Sequence, residues 1–292
     1  MYHSDLIGGV AARLLGYKRV VWGVRNNELD EHARRTRAVA KLCALISPFV
    51  PRAITCCAVA AIDHHHRLGY RGSWCVIPNG YSIKDFDISD DSRQRVRSEL
   101  GVDEEFLFGF VARWDPMKDH MTLLRALRMW ASKKVKPGFR LVLVGSGCDE
   151  SNEKLLDMIR DLELKNNVLL LGQRSNIPAI MNALDLHVLS SKSEAFPNVI
   201  AEAMACGTPC LATDVGDAAE IVGNTGWIVP AKSARCLADG IELAYTHLQD
   251  VDNRTEMSTI CRERIVENYS LERMVTSFKQ VWAGETEDSK KS

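Results

Sequence analysis

"DLHVLSSKSEAFPNVIAEAMACGTPCLAT", residues 185–213, reads as a strand, a polar loop, a helix and a second strand. "DLHVLS" and "TPCLAT" are short β-rich runs. Between them Pro197 suits a first helical turn and Gly207 a stop, which predicts a helix from about Pro197 to Cys206. Two strands joined by a helix lie parallel, because only a crossover connection returns the chain to the same end of the sheet. The alternation extends to both sides: "FLFGFVA" from Glu105 onward, a helix near Met121–Ser132, "RLVLVG", a helix near Glu153–Leu164, "NVLLLG", a helix near Ile177–Ala183, and, after the quoted unit, "GWIVP". The expected fold class is α/β, a doubly wound parallel sheet covered by helices on both faces.

Ligands of such sheets sit beyond the carboxyl ends of the strands, so the strand-to-helix loops hold the candidate chemistry. Glu194 stands in the loop before the predicted helix, and Glu202 five residues past Pro197. The apolar neighbours Val199, Ile200, Ala203 and Met204 make that helix mostly buried. A buried acid needs a partner, either ribose hydroxyls donating two hydrogen bonds or a nearby Arg or Lys. The helix start itself offers N–H groups and the positive end of a dipole to an anion or to sugar hydroxyls. In "ARWDPMKD", Arg113 and Lys118 follow another strand, and together either hold a diphosphate without a metal or are surface residues of the kind common near a helix start. "VLVGSGCDES" carries Gly145 and Gly147 like a dinucleotide loop, but Ser151 replaces a third glycine and no acid ends the next strand, so an NAD-linked oxidoreductase rests on this loop alone.

The 292 residues, 46% hydrophobic and 26% charged, suffice for one large core or two modest ones and exclude a disordered chain. Residues 1–84 hold 12 Lys/Arg against 5 Asp/Glu, a local +7 inside a chain of net charge −1. Such a front part suits phosphates, nucleic acid or an anionic membrane, or is simply a solvated face. The nine cysteines form no CxxC pair and no regular spacing, which indicates neither a zinc knuckle nor a disulfide framework and fits a reducing cytoplasm. Ala38–Ile62 is interrupted by Lys41, Pro48, Pro51 and Arg52, and no signal peptide is recognised, so a soluble or peripheral protein is expected. Near the start, a helix stopping at Gly16, a strand at Arg19–Gly23, a basic one-faced helix over Ala33–Ser47, a strand-then-helix in "AITCCAVAAIDHHHRLGY" and a strand in "CVIPNGYS" are expected. Successive side chains of His64–His66 point different ways on a helix, so a solvated surface is preferred to a metal site.

"SEAFPNVIAEAMACGTPCLATDVGDAAEIVGNTGWIVP" closely resembles the donor-binding segment of retaining, nucleotide-sugar-dependent glycosyltransferases of the GT-B fold, the group 1, glycogen-synthase-like family. The Glu-x7-Glu pair, the Phe-Pro after its first Glu, "EAMACGTP", "VIPNG", "GFVARWDPMKD", "LVLVGSG", "VLLLGQ" and the final "SLERMVTSFKQVW" follow the family's order over almost the whole chain. The resemblance implies that Arg113 and Lys118 grip the donor diphosphate and that Glu202 accepts the ribose hydroxyls. Glu194, with backbone amides around Phe196, Pro197 and Asn198, would contact the transferred sugar; Val199 would lie beside the diphosphate, and Gly172 and Gln173 would flank the base. His3 is the candidate catalytic histidine. No metal or other cofactor is implied, and Asp85–Asp87 ("DFD") lacks the strand-end context of a metal-binding Asp-x-Asp. The donor would be a nucleotide-diphosphate sugar and the acceptor a glycan or lipid-linked glycan in cell-surface polysaccharide synthesis, with no nucleic acid; the basic helix is either a core helix with Arg34, Arg35, Arg37 and Lys41 on its outer face or a peripheral contact with an anionic membrane.

The implied organisation is a partial, acceptor-side N-terminal domain over 1–79, a donor domain over 80–270, a helix over 271–284 packing back on the N-terminal part, and a polar tail over 285–292. A family N-terminal domain has about 150 residues or more, so a truncated N-terminal domain is expected. The alternative is a nucleotide-sugar-binding remnant without turnover.

Overall fold

The computed structural model describes residues 2–25, 34–132 and 138–285; Ala33 of the expected basic helix and the expected tail beyond Glu285 lie outside them. The chain forms two compact units, Met1–Gly80 with Tyr269–Ser292, and Tyr81–Asn268.

In the first unit, α1 (Tyr2–Leu14) is followed by Gly16 at φ 84 and then by β1 (Val21–Val24), α2 (Arg34–Ile46), β2 (Ala53–Cys56), α3 (Val59–Arg67) and β3 (Trp74–Val76). The strands pair in parallel in the order β1-β2-β3. Trp22, Val24 and Ile54 pack with Tyr2, Ala40, Cys43, Ala44 and Tyr70 in one cluster, while Ala53 and Ile77 receive Val281 of α12 (Leu271–Ala283) in another. On α2 the small residues Ala40, Cys43 and Ala44 face inward, and Arg34, Arg35, Arg37 and Lys41 are exposed together with Leu42 and Leu45.

One expectation fails within the histidine triplet: His66 is exposed, but His65 is fully buried. Its Nδ1 lies 2.7 Å from the Ala61 carbonyl, which can only accept, so Nε2 is the acceptor for the Tyr2 hydroxyl at 2.8 Å. Tyr2, Tyr70 and Trp74 surround the ring at centroid distances of 5.8, 5.1 and 5.9 Å. The spacing that sends neighbours outward sends the middle residue in.

The second unit runs α4 (Asp90–Leu100), β4 (Phe106–Val111), α5 (His120–Ala131), β5 (Phe139–Val144), α6 (Glu153–Asp161), β6 (Val168–Gly172), α7 (Ile177–Ala183), β7 (Leu186–Leu189), α8 (Asn198–Ala205), β8 (Cys210–Thr213), α9 (Ala218–Val222), β9 (Trp227–Val229), α10 (Ala234–Leu248) and α11 (Val251–Tyr269). Its six strands lie in the order β6-β5-β4-β7-β8-β9, all parallel. β4, β7 and β8 are buried at every residue, as continuous apolar runs in a sheet covered on both faces must be. Phe108, Leu123, Leu127, Trp130, Phe139 and Tyr245 share one core cluster, in which α5 and α10 lie over the sheet. The Trp130 indole satisfies its N–H on Glu242 at 2.7 Å.

Beneath the amino ends of the central strands, Asp185 ties three segments together. It accepts from Arg93 Nη2 at 2.5 Å, Arg97 Nη1 at 3.1 Å and the Leu107 N–H at 2.7 Å. Arg93 also donates to the carbonyls of Asn182, Ala183 and Leu184. Truncating one partner of such a buried pair leaves charge uncompensated, so Asp185→Ala should destabilise the protein by about 3–5 kcal/mol; urea titration of the two proteins checks this. Acid should also weaken the fold. Burial lowers His65 to about 4 and His187, in β7, to about 3, whereas an unfolded histidine titrates near 6.5. The unfolded chain therefore takes up protons first, and the melting temperature should fall steadily as pH drops from about 6.5 through 4.

Candidate functional site

The strand order places β4, the first strand of the unit, beside β7, the fourth, and the crossovers leave that pair in opposite directions. A crevice opens at such a switch point because no connection covers it. The two loops at its carboxyl end carry Arg113 and Lys118 after β4, and Glu194 after β7.

These loops are stitched together by main-chain and side-chain bonds. The Lys192 N–H donates to the Met117 carbonyl at 2.7 Å, and the Ser190 hydroxyl reaches the carbonyls of Lys118 and Asp119 at 3.0 and 3.2 Å. Lys192 Nζ pairs with Asp119 at 3.1 Å. Across the crevice, Lys118 Nζ meets Glu194 Oε1 at 2.5 Å, and the Ser191 hydroxyl donates to the same oxygen at 2.6 Å. Both side chains of the Lys118–Glu194 pair are largely buried, at 21% and 13% exposure, so water screens the pair little. Arg113 is more open. Its Nε and Nη2 both bind Asp115 Oδ2, at 3.1 and 2.9 Å. The Met117 N–H, with Arg113 and Lys118 beside it, holds the Asp115 carboxyl below the usual carboxylate range.

Glycines let neighbouring loops approach. Gly145, at φ 147, carries no Cβ because one would overlap the Ala112 carbonyl, and a Cβ on Gly147 would come within 2.8 Å of the Trp114 Cβ. The "GSG" run thus serves close contact between the loops after β4 and β5, a physical need independent of NAD. Gly216, at φ 54, likewise fits against the carbonyls of Glu194 and Ala195, and the Asp217 N–H donates to Ala195 at 3.0 Å. Beneath the β4 loop, His120 is buried between Phe110 and Trp114, with Nε2 3.4 Å from Cys148 Sγ, and burial lowers it to about 4.

The helix expected from Pro197 starts one residue later, with Pro197 as its cap residue. Proline has no side-chain acceptor, so the cap residue of α8 makes no side-chain cap hydrogen bond. Phe196 and Pro197 are buried, Val199 is partly buried, and exposed Asn198 accepts the Tyr81 hydroxyl at 2.6 Å. Glu202 follows one turn along α8, where burial raises its pKa. Among the described residues its carboxylate has no ion pair and no side-chain hydrogen bond; the Arg or Lys partner left open by the sequence is not there. Nearby Arg262 instead binds Asp87 at 2.6 Å and the Phe86 and Ala205 carbonyls.

Gly172 ends β6 in a left-handed conformation, φ 59, exchanging hydrogen bonds of 2.8 Å with Gly145 and Cys148, and Gln173 next to it is exposed. His3 is exposed on the first turn of α1, in the other unit. The second unit therefore sets Arg113, Lys118 and Glu194 in the two loops at the switch point, the 196–199 segment at the start of the helix that follows β7, Glu202 one turn along that helix, and Gly172 and Gln173 at the end of the second strand out from β4. Asp115, Ser191 and Lys192 were not singled out in the sequence. The Asp-Pro of "WDPMK", a turn-starting dipeptide, was the available signal for Asp115.

Residues 92–283 match the family described as Glycosyl transferases group 1. Among curated relatives, the N-acetyl-alpha-D-glucosaminyl L-malate synthase of Bacillus anthracis is 31% identical over 200 residues, 67% of this chain and 50% of that protein. The UDP-Gal:alpha-D-GlcNAc-diphosphoundecaprenol alpha-1,3-galactosyltransferase of Escherichia coli is 28% identical over 210 residues, 71% of this chain and 53% of that one. The chain spans about half the length of these relatives. Among solved structures, Anabaena HepE in complex with UDP superposes with a TM-score of 0.84 at 24% identity, over 98% of this chain and 76% of that chain. Sucrose-phosphate synthase from Thermosynechococcus elongatus gives 0.77 at 23% identity, over 95% and 71%. The expected α/β, GT-B fold class is thus the observed one.

An unpartnered, half-buried carboxylate costs stability in the unliganded protein, because the folded environment disfavours its charge. Glu202→Gln should therefore melt at or above the wild-type temperature at pH 7 without ligand, and a clear fall in melting temperature would mean that Glu202 is held by a structural partner.

Proposed function

The chain belongs to the group 1 glycosyltransferase family, and on that premise we propose that it moves a sugar from a nucleotide-diphosphate donor to a glycan or lipid-linked acceptor, with retention at the anomeric carbon. The observation that carries this is the Lys118–Glu194 pair at the switch point, beside a helix whose inward acid, Glu202, has no protein partner among the described residues.

Residues 81–268 take the donor. Lys118 and Arg113 face the diphosphate with the N-terminal turn of α8, while Glu202 receives the two ribose hydroxyls that its surroundings do not supply. Glu194, held by Ser191, receives hydroxyls of the transferred sugar near the amides of Phe196–Asn198, with Val199 beside the diphosphate; Gly172 and Gln173 flank the base. Residues 1–80 take the acceptor side, with His3 as the histidine that touches the sugar. As the bond from the anomeric carbon to the phosphate oxygen breaks, negative charge grows on the diphosphate. Cations and helix N–H groups already in place stabilise that charge where it develops. The acceptor oxygen attacks the same face, and its proton passes to the departing phosphate oxygen. No protein nucleophile takes part, and the positive groups named above serve in place of a divalent ion.

The names of similar proteins suggest the first donors to test: one relative uses UDP-Gal with a diphosphoundecaprenol-linked acceptor, and HepE has been solved with UDP and with UDP-glucose. They also support a role in cell-surface polysaccharide synthesis. No helix among the described residues is long and apolar enough to cross a membrane. On α2, exposed Arg34, Arg35, Arg37 and Lys41 precede exposed Leu42 and Leu45, with Phe49 just beyond at 77% exposure. That combination supports peripheral contact with the anionic cytoplasmic face of a membrane, where a lipid-linked acceptor would lie.

A thermal-shift panel of UDP-, GDP- and ADP-sugars should give one clear stabilising class, with no shift from NAD. Glu202→Ala should weaken binding of that nucleotide about tenfold or more, since two hydrogen bonds to a charged acceptor are lost. Lys118→Ala should lower kcat/KM about 10²- to 10³-fold. NMR of the product should show the donor's anomeric configuration, and transfer should survive EDTA. Absence of binding by every nucleotide sugar would end the proposal, and binding without transfer would favour the remnant.

A further inference from the structure

We infer that Asp115 is a positioning residue for the diphosphate grip, orienting the Arg113 guanidinium through one edge and leaving its other edge for the anion. The inference rests on the proposed function and concerns a residue that the family resemblance gave no role.

Arg113 is 69% exposed at its side chain, and a long exposed side chain is free to take many rotamers. Among the described residues its one ion-pair partner is Asp115, and the contact is made through Nε and Nη2 to a single oxygen, Oδ2. A guanidinium is planar and carries five N–H donors. Engaging the Nε–Nη2 edge leaves the Nη1–Nη2 edge turned away from Asp115, with the paired donors that suit a phosphate.

Asp115 is itself fixed. Its Oδ1 accepts the Met117 N–H at 2.8 Å, Pro116 follows it with a locked φ, and its carbonyl accepts the Lys118 N–H at 3.0 Å. One residue therefore sets the direction of both cations, Arg113 through its carboxylate and Lys118 through the turn it closes. A carboxylate near a diphosphate could instead act mainly as a repelling charge. The two roles predict opposite signs, because loss of a repelling charge tightens anion binding while loss of an orienting contact weakens it.

Asp115→Asn separates them. Asparagine keeps an oxygen for the Met117 N–H, so the turn is retained, but it no longer offers Arg113 a charged acceptor. Calorimetric titration with UDP, GDP and ADP identifies the diphosphate that wild-type protein binds most tightly, and that probe is carried through Asp115→Asn, Arg113→Ala and the double variant. Asp115→Asn should raise its Kd about three- to tenfold, the range of a partly exposed charged contact. It should leave the unliganded melting temperature unchanged, and it should add nothing in the Arg113→Ala background. Unchanged or tighter binding by Asp115→Asn, or an equal loss with and without Arg113, would overturn the role of Asp115 while leaving the proposed function intact. Wild-type protein that bound none of the three would overturn both.

Discussion

Everything in the second unit follows from β4 lying against β7 while the chain winds away from them in opposite directions. Parallel strands need covering crossovers, and where the winding reverses the covers part. The gap stays open only if the loops beside it are rigid. Here rigidity comes from bonds between the loops: Lys192 to Met117, Ser190 to Lys118 and Asp119, and Thr213 to Ser191 at 2.8 Å.

Electrostatically the crevice is balanced before any ligand arrives. Arg113 has Asp115, Lys118 has Glu194 and Lys192 has Asp119. Pairing keeps the cations from collapsing onto other surfaces and holds them in fixed directions, which is what preorganised stabilisation of a developing charge requires. Glu202 stands apart from this balance. It is half-buried on α8 with its pKa raised by burial, a locally unfavourable choice of residue. Local rules of burial are broken mostly where function demands it, and the break falls on the helix that begins at the crevice.

Much of the architecture was legible because it is written in short-range patterns. The alternation of β-rich runs with one-faced helices gave the doubly wound sheet, and Pro197 and Gly207 bracketed α8 to within about a residue. Glu194 and Glu202 could be located on loop and helix from spacing alone. Periodicity does not say which neighbour a side chain will meet. His65 was expected in solvent with its two neighbours, yet it fills an aromatic cluster with Tyr2, Tyr70 and Trp74. Gly145 and Gly147 suggested a dinucleotide loop, yet their form is explained by contact with the loop after β4.

By itself, then, the sequence determined the order of strands and helices, the ends at which polar loops emerge, and the residue types available there, because backbone propensities and apolar periodicity act over a few residues. Only the tertiary structure decided that Lys118 meets Glu194 across 76 positions of chain, that Asp185 knots Arg93, Arg97 and Leu107, and that Glu202 meets no cation among the described residues. Those outcomes depend on which strands become neighbours, and strand adjacency is set by the whole sheet rather than by any local run of residues.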